Sequence, residues 1–202
     1  MFSSFHDSRR NEYFLMQKEM SLRFSKDMIG RPVIDRFGFK IGKVRDVAIP
    51  LSSFKEPYPT VAGFMVEKKF IKWGMIAKLG KHLTLKESLR KGDICPIPRD
   101  QMFVGKKLLD EQLLDMQGKS IGRVDDIRLV YDATGSILKV AGLYSGASAL
   151  LMRIGIDIYG NVIPWSCIEK IRENPSGIVL RFQGKSMPVS DKYMLYEAGR
   201  LN

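Results

Sequence analysis

One pattern occurs twice in this chain and constrains its fold more than any other feature. The first copy reads Asp35-Arg-Phe-Gly38-Phe-Lys-Ile41-Gly42-Lys-Val44-Arg-Asp46-Val47. The second reads Asp115-Met-Gln-Gly118-Lys-Ser-Ile121-Gly122-Arg-Val124-Asp-Asp126-Ile127. The offset is 80 residues throughout, as from Asp35 to Asp115. Self-similarity at a domain-sized spacing predicts two related modules. The shared residues are turn and core types, so the repeat speaks first about architecture.

Each copy begins with an Asp-x-x-Gly turn. The aspartate can accept from its own backbone two residues on, and the glycine tolerates positive φ. A long strand follows, Lys40 to Ile49 in the first copy and Ser120 to Tyr131 in the second. Gly42 and Gly122 interrupt it at the same place, which predicts a bulge or bend. Shorter strands are expected at Arg31–Asp35, Thr60–Glu67, Ile94–Pro98, Leu108–Asp115, Ser136–Tyr144, Asn161–Pro164 and Gly177–Phe182. Asp132 to Gly135 reads as a further hairpin turn. Pro50 to Pro59 reads as a loop. Val61-Ala62-Gly63 recurs as Val140-Ala141-Gly142. Ser25 to Gly30 reads as a single helical turn, with Ser25 as N-cap and Gly30 as terminator. Trp73 to Gly80 and Ser148 to Gly155 read as a second pair of helical turns, and Ile97-Pro98 is matched with Ile163-Pro164 as the strand after each. Residues 1–24 show no clean period and read as an arm.

The Ile-Gly-[Lys/Arg]-Val-x-Asp-[Val/Ile] strand after an Asp-x-x-Gly turn resembles the PRC-barrel family, and Ile163-Pro164-Trp165-Ser166-Cys-Ile168-Glu169 resembles that family's closing strand. The resemblance covers about residues 25–104 and 105–183. It implies an all-β fold, two tandem small PRC-type β-barrels with short helical turns and an N-terminal arm. The organisation expected is arm 1–24, first barrel 25–104, second barrel 105–183 and tail 184–202. The resemblance further implies an adaptor or assembly role. The motif contains no catalytic residue, so none is carried over.

The residues themselves point the same way. Asp35, Gly38, Gly42, Asp115, Gly118 and Gly122 are assigned to turns and bends, and Asp46 and Asp126 to structural carboxylates. His6 and His82, the only histidines, have no nucleophile or carboxylate beside them in sequence, and an acid–base site needs converging groups. Cys95 and Cys167 lack the spacing of a disulfide framework or zinc site. No catalytic residue, metal or cofactor is expected. No apolar run approaches the ~20 residues of a membrane-spanning helix, and the first residues lack a secretion signal's apolar stretch. A cytoplasmic protein is expected.

Charge separates the two copies. Residues 1–105 carry 20 Lys and Arg against 11 Asp and Glu, a net of +9, whereas residues 106–202 carry 13 against 11, a net of +2. Between Lys68 and Lys91 there are eight Lys and Arg and one acid, Glu87. The candidate partner-binding residues are Lys68, Lys69, Phe70, Lys72, Trp73, Lys78 and Lys81. A protein partner is the first expectation. RNA or the ribosome is the second, because cations neutralise phosphates and aromatics stack on bases. An anionic membrane surface reached through Phe70 to Ile76 is the third. A second copy of the chain is a further option. The contrasting surface in the second module is the acidic stretch around Asp125.

Overall fold

The computed structural model describes residues 20–89, 97–131, 136–146 and 161–181. Fourteen strands make up most of it. They are β1 (Met20–Arg23), β2 (Pro32–Ile34), β3 (Lys40–Pro50), β4 (Gly63–Val66), β5 (Lys69–Lys72), β6 (Ile76–Leu79), β7 (Leu83–Leu85), β8 (Gln101–Phe103), β9 (Gln112–Leu114), β10 (Ser120–Tyr131), β11 (Leu138–Ser145), β12 (Asn161–Pro164), β13 (Ile168–Glu173) and β14 (Ser176–Leu180). The fold is all-β, in two sheets of seven strands.

The sheets match strand for strand. The first has the order β5-β4-β3-β2-β7-β6 and the second β12-β11-β10-β9-β14-β13. In each, one long strand serves two ladders, bent where the register slips beside Gly42 and Gly122. In each, a short strand runs parallel to the last-but-one, β2 with β7 and β9 with β14. Among the described residues no ladder joins β5 to β6 or β12 to β13, so the sheets curl without closing through hydrogen bonds.

The predicted turns form as their chemistry dictates. Asp35 Oδ1 accepts from the N–H groups of Phe37 and Phe39, both at 2.9 Å. Asp115 Oδ1 accepts from Gln117 at 3.0 Å and Lys119 at 2.9 Å. Gly38 and Gly118 take φ of 89° and 83°, the left-handed region that only glycine enters freely. Gly63 and Gly142 are required for a different reason. A Cβ there would collide with the carbonyl oxygens of Ile71 and Ile163 on the neighbouring strands.

Two further strands are exchanged between the modules. β1, which leads into the first module, pairs antiparallel with β10 of the second, Met20 opposite Tyr131 and Arg23 opposite Arg128. β8 falls within the expected first barrel, 25–104, but is the 80-residue counterpart of β1 and so heads the second module. It pairs antiparallel with β3 of the first, Ala48 opposite Phe103 and Pro50 opposite Gln101. A helical turn follows each exchanged strand, Phe24–Met28 as a π-turn and α1 (Val104–Leu108) as an α-turn. Each places apolar residues four apart, Phe24 with Met28 and Val104 with Leu108, and buries both.

The repeated aspartates receive these turns. Asp46 Oδ1 accepts from Gly105 N at 2.8 Å and Oδ2 from Lys106 N at 2.9 Å. Asp126 Oδ1 accepts from Ser25 N and Ser25 Oγ, each at 3.0 Å. Ser25 and Gly105 are equivalent at the 80-residue offset. Each module's carboxylate therefore holds the other module's helical turn.

Further contacts obey the same symmetry. Trp73 Nε1–H donates to the Ser136 carbonyl at 2.8 Å, and Trp165 Nε1–H donates to the Phe54 carbonyl at 2.9 Å. Thr60 and Lys139, which are equivalent residues, face each other in an isolated antiparallel bridge. Val61 N donates to Leu138 O at 2.8 Å and Val140 N to Pro59 O at 2.9 Å. An approximate two-fold axis thus passes between Thr60 and Lys139. Most buried apolar side chains of both modules form one continuous cluster, with Tyr144 in a separate small one.

Several expectations are corrected. Ser25 does not cap the turn that follows; it lies within the turn and bonds Asp126, while Arg23 holds the N-cap position. Gly30 does end the turn, at φ 77°. Trp73 to Gly80 is helical only over Trp73–Met75, because Ile76–Leu79 pairs with β7. Ile97-Pro98 forms no strand. The counterpart of Ile163-Pro164-Trp165 is Ile71-Lys72-Trp73, since both end a strand and begin a 3-10 turn. The offset has grown because β4 and β5 are joined by Glu67-Lys68 alone, whereas residues 146–160 separate β11 from β12. The strand expected over Leu108–Asp115 shrinks to Gln112–Leu114, and that over Thr60–Glu67 to Gly63–Val66. The Pro50–Pro59 loop contains a 3-10 turn, Leu51–Lys55. The 148–155 turn, the 132–135 hairpin turn, Ile94 to Pro96 and residues 1–19 lie outside the described residues.

Candidate interaction surface

The lysines singled out in the sequence fall at two ends of the first sheet. Val44 pairs with Val66, and Val66 with Lys69, so the Glu67-Lys68 turn lies beside Lys43 and Arg45. Val44 N donates to Arg31 O, which places Arg31 next along the same edge. Val33 pairs with Leu83, and Leu83 with Leu79, so the Gly80-Lys81-His82 turn follows. An Arg31 guanidinium bond to Gly80 O, at 2.8 Å, ties the two segments. Lys68, Lys69, Lys78 and Lys81 therefore share one end with Arg31, Lys43 and Arg45. Lys72 does not; it pairs with Gly63 at the far end of β5, next to Trp73.

Internal contacts use part of this charge. Arg45 makes a 2.8 Å ion pair with Glu67, and this hydrogen bond holds the Glu67 carboxyl below the usual carboxylate range. Burial lowers the Arg31 pKa, and its guanidinium serves the Gly80 turn. Lys43, Lys68, Lys78 and Lys81 are exposed. They leave a cationic rim with Glu67 already neutralised.

The equivalent end of the second module has different charge. Glu111 stands where the first module has Arg31, and Asp125 where it has Arg45. Lys43 is matched by a cation, Arg123. Asp125 is buried and accepts from Gly146 N at 2.8 Å. Glu173, in a 2.9 Å bridge to Lys107, lies at the β13–β14 turn of the same end.

The two aromatic candidates belong to the interior. Phe70 is buried, with its ring centroid 6.4 Å from that of Phe103 on the exchanged strand β8. Trp73 is half-buried, packs on Phe64 at 5.7 Å, and bonds the second module. Neither lies at the cationic rim.

Sequence reasoning overlooked the tip of the β2–β3 hairpin. Phe37 and Phe39 are 65% and 70% exposed, among the most exposed large apolar side chains of the described residues. The Arg36 guanidinium lies 4.5 Å from the Phe37 ring centroid. The matching positions in the second module are Gln117 and Lys119. Comparing the variable positions of the repeat, rather than its shared ones, would have found the tip.

Burial raises the Cys167 thiol pKa, away from nucleophilic thiolate. His82 is half-buried, and its Nδ1 has no hydrogen-bond partner. Among the described residues no group of three His, Cys, Asp or Glu side chains is placed to hold a metal ion. His6 and Cys95 lie outside the described residues. No helix among the described residues is long and apolar enough to cross a membrane.

No protein-family model matches the chain. No curated protein matches it either.

Proposed function

We propose that this chain is a non-catalytic, cytoplasmic assembly module of PRC-barrel type that binds an acidic protein through the cationic end of its first module. One observation carries the reading: this end of the first module exposes Lys43, Lys68, Lys78 and Lys81, whereas the corresponding end of the second carries Glu111, Asp125 and Glu173. Packing does not require the difference, since both ends support the same ladders. Exposed lysines at one rim steer an anionic partner and set its orientation. An RNA partner needs the same charge but gains from stacked aromatics. Phe70 and Trp73 are engaged elsewhere, which favours protein.

Zero-length carbodiimide coupling of the full chain in native extract tests this, because it joins lysine amines to partner carboxylates within contact distance. Adducts should map to Lys68, Lys78 and Lys81 and survive ribonuclease. The variant Lys68→Glu/Lys78→Glu/Lys81→Glu should lose them while melting within about 0.5 kcal/mol of wild type. Adducts that vanish with ribonuclease would replace protein by RNA. Unchanged adducts in the triple variant would remove the rim from the account.

A further inference from the structure

The hairpin tip at residues 35–40 is a second surface, independent of the cationic rim. Its sequence is Asp35-Arg36-Phe37-Gly38-Phe39-Lys40. Two aromatic side chains stand exposed on either side of one glycine, and a cation flanks each. Its only acid is withdrawn. Asp35 is buried and accepts from Phe37 N, Phe39 N and, at 2.7 Å, the Ser88 hydroxyl. Desolvation acts to raise the Asp35 pKa, but these hydrogen bonds together outweigh it and leave the carboxyl below its ordinary range. Within residues 36–40 the side chains presented are apolar and positive only.

The exposure of the rings selects the partner. Both stand on the turn at the end of the β2–β3 pair, Phe37 65% and Phe39 70% exposed. A folded protein must supply a pocket to cover two projecting phenyl rings. A lipid interface accepts them directly, with the rings at the acyl boundary and the cations among the headgroups. Each Lys or Arg near an anionic leaflet adds to the attraction and falls off with the Debye length. Arg36 over the Phe37 ring keeps its charge beside the inserting group. The second module retains one exposed apolar residue at the corresponding turn, Met116, and no aromatic.

We infer that Phe37 and Phe39, flanked by Arg36 and Lys40, dock the first module onto the surface of an anionic lipid membrane. The docking is peripheral and reversible, since two rings bury far less than a lipid anchor or a spanning helix.

Co-sedimentation of the full chain with phosphatidylcholine vesicles, with and without about 30% phosphatidylserine, tests this at low salt. The chain should pellet with the mixed vesicles and stay in solution with phosphatidylcholine alone. Phe37→Ser/Phe39→Ser should weaken partitioning about tenfold or more. Arg36→Glu/Lys40→Glu should remove the preference for phosphatidylserine. Met116→Ser should change nothing, and Lys68→Glu/Lys78→Glu/Lys81→Glu should retain insertion, which separates this inference from the rim reading. Binding that survives Phe37→Ser/Phe39→Ser would overturn it. So would wild-type protein that never pellets, or a Phe37→Ser/Phe39→Ser variant whose only change is a smaller oligomer on gel filtration. Both phenylalanines are exposed, so the variants should fold, and thermal melting verifies it.

Discussion

The two modules are alike inside and different outside. Their strand orders coincide, and the same glycines permit the same close approaches. Equivalent aspartates hold each other's helical turns, and equivalent tryptophans reach across to each other's backbone. Their rims and hairpin tips differ in side chains, Phe37 and Phe39 against Gln117 and Lys119, and Arg31 against Glu111. The lesson is that the two copies coincide at the turns, bends and axis contacts and differ in the side chains they expose. Function is therefore sought where equivalent positions differ.

The glycine pair should show the largest and most equal effects. Gly63→Ala and Gly142→Ala each drive a methyl group into a neighbouring strand's carbonyl, and backbone cannot yield as a side chain can. Each should destabilise the whole chain by about 3 kcal/mol in urea unfolding. A large effect for one and none for the other would break the symmetry.

The aspartate pair sharpens it. Asp126→Ala leaves Ser25 and Ile127 N–H groups without their acceptor, and Asp46→Ala does the same to Gly105, Lys106 and Val47. Each should destabilise by about 2 kcal/mol. The informative readout is location. Hydrogen exchange should quicken at 104–108 in the Asp46→Ala variant and at 24–28 in the Asp126→Ala variant, across the axis from the substitution. Acceleration confined to the mutated module would deny the exchange.

The tryptophan pair tests hydrogen bonds rather than burial. Trp73→Phe and Trp165→Phe each retain an aromatic ring and remove the indole donor to one carbonyl, of Ser136 or Phe54. The hydrogen-bond loss is about 1 kcal/mol in each. Trp165 is fully buried and packs edge-on against Phe54 at 5.6 Å, so its variant loses additional packing.

The smallest effect concerns pH. Burial outweighs the hydrogen bonds at Asp46 and raises its carboxyl above the ordinary aspartate range. A carboxyl raised on folding contributes stability that is fully present below its unfolded pKa and is lost as pH climbs through the folded value. Stability should thus decline slightly from the ordinary aspartate range upward through that raised value. Asp46→Asn should flatten this segment of the pH profile while lowering stability overall.

The repeat carried much of this architecture in plain view. Asp35 and Asp115 turn the chain because a short carboxylate can reach the N–H two residues on, a local property that needs no tertiary information. Gly42 and Gly122 mark the bend for a similar local reason. The exchange was hidden because it depends on which long strand β1 and β8 meet, and both long strands offer the same free edge. Asp46 and Asp126 were visible as repeated residues, but their partners lie 59 and 101 residues away in sequence. Phe70 and Trp73 misled because aromatic residues among lysines suit a surface as well as a core. The pairing of Val66 with Lys69 and Gly63 with Lys72 decides between them, turning Phe70 inward.

Exchange of β1 and β8 makes a single cooperative unit of what the repeat alone would allow to be two domains. Differential scanning calorimetry of the full chain tests this most directly. One transition is predicted, with calorimetric and van't Hoff enthalpies equal. Two resolved transitions, one for each module, would contradict it.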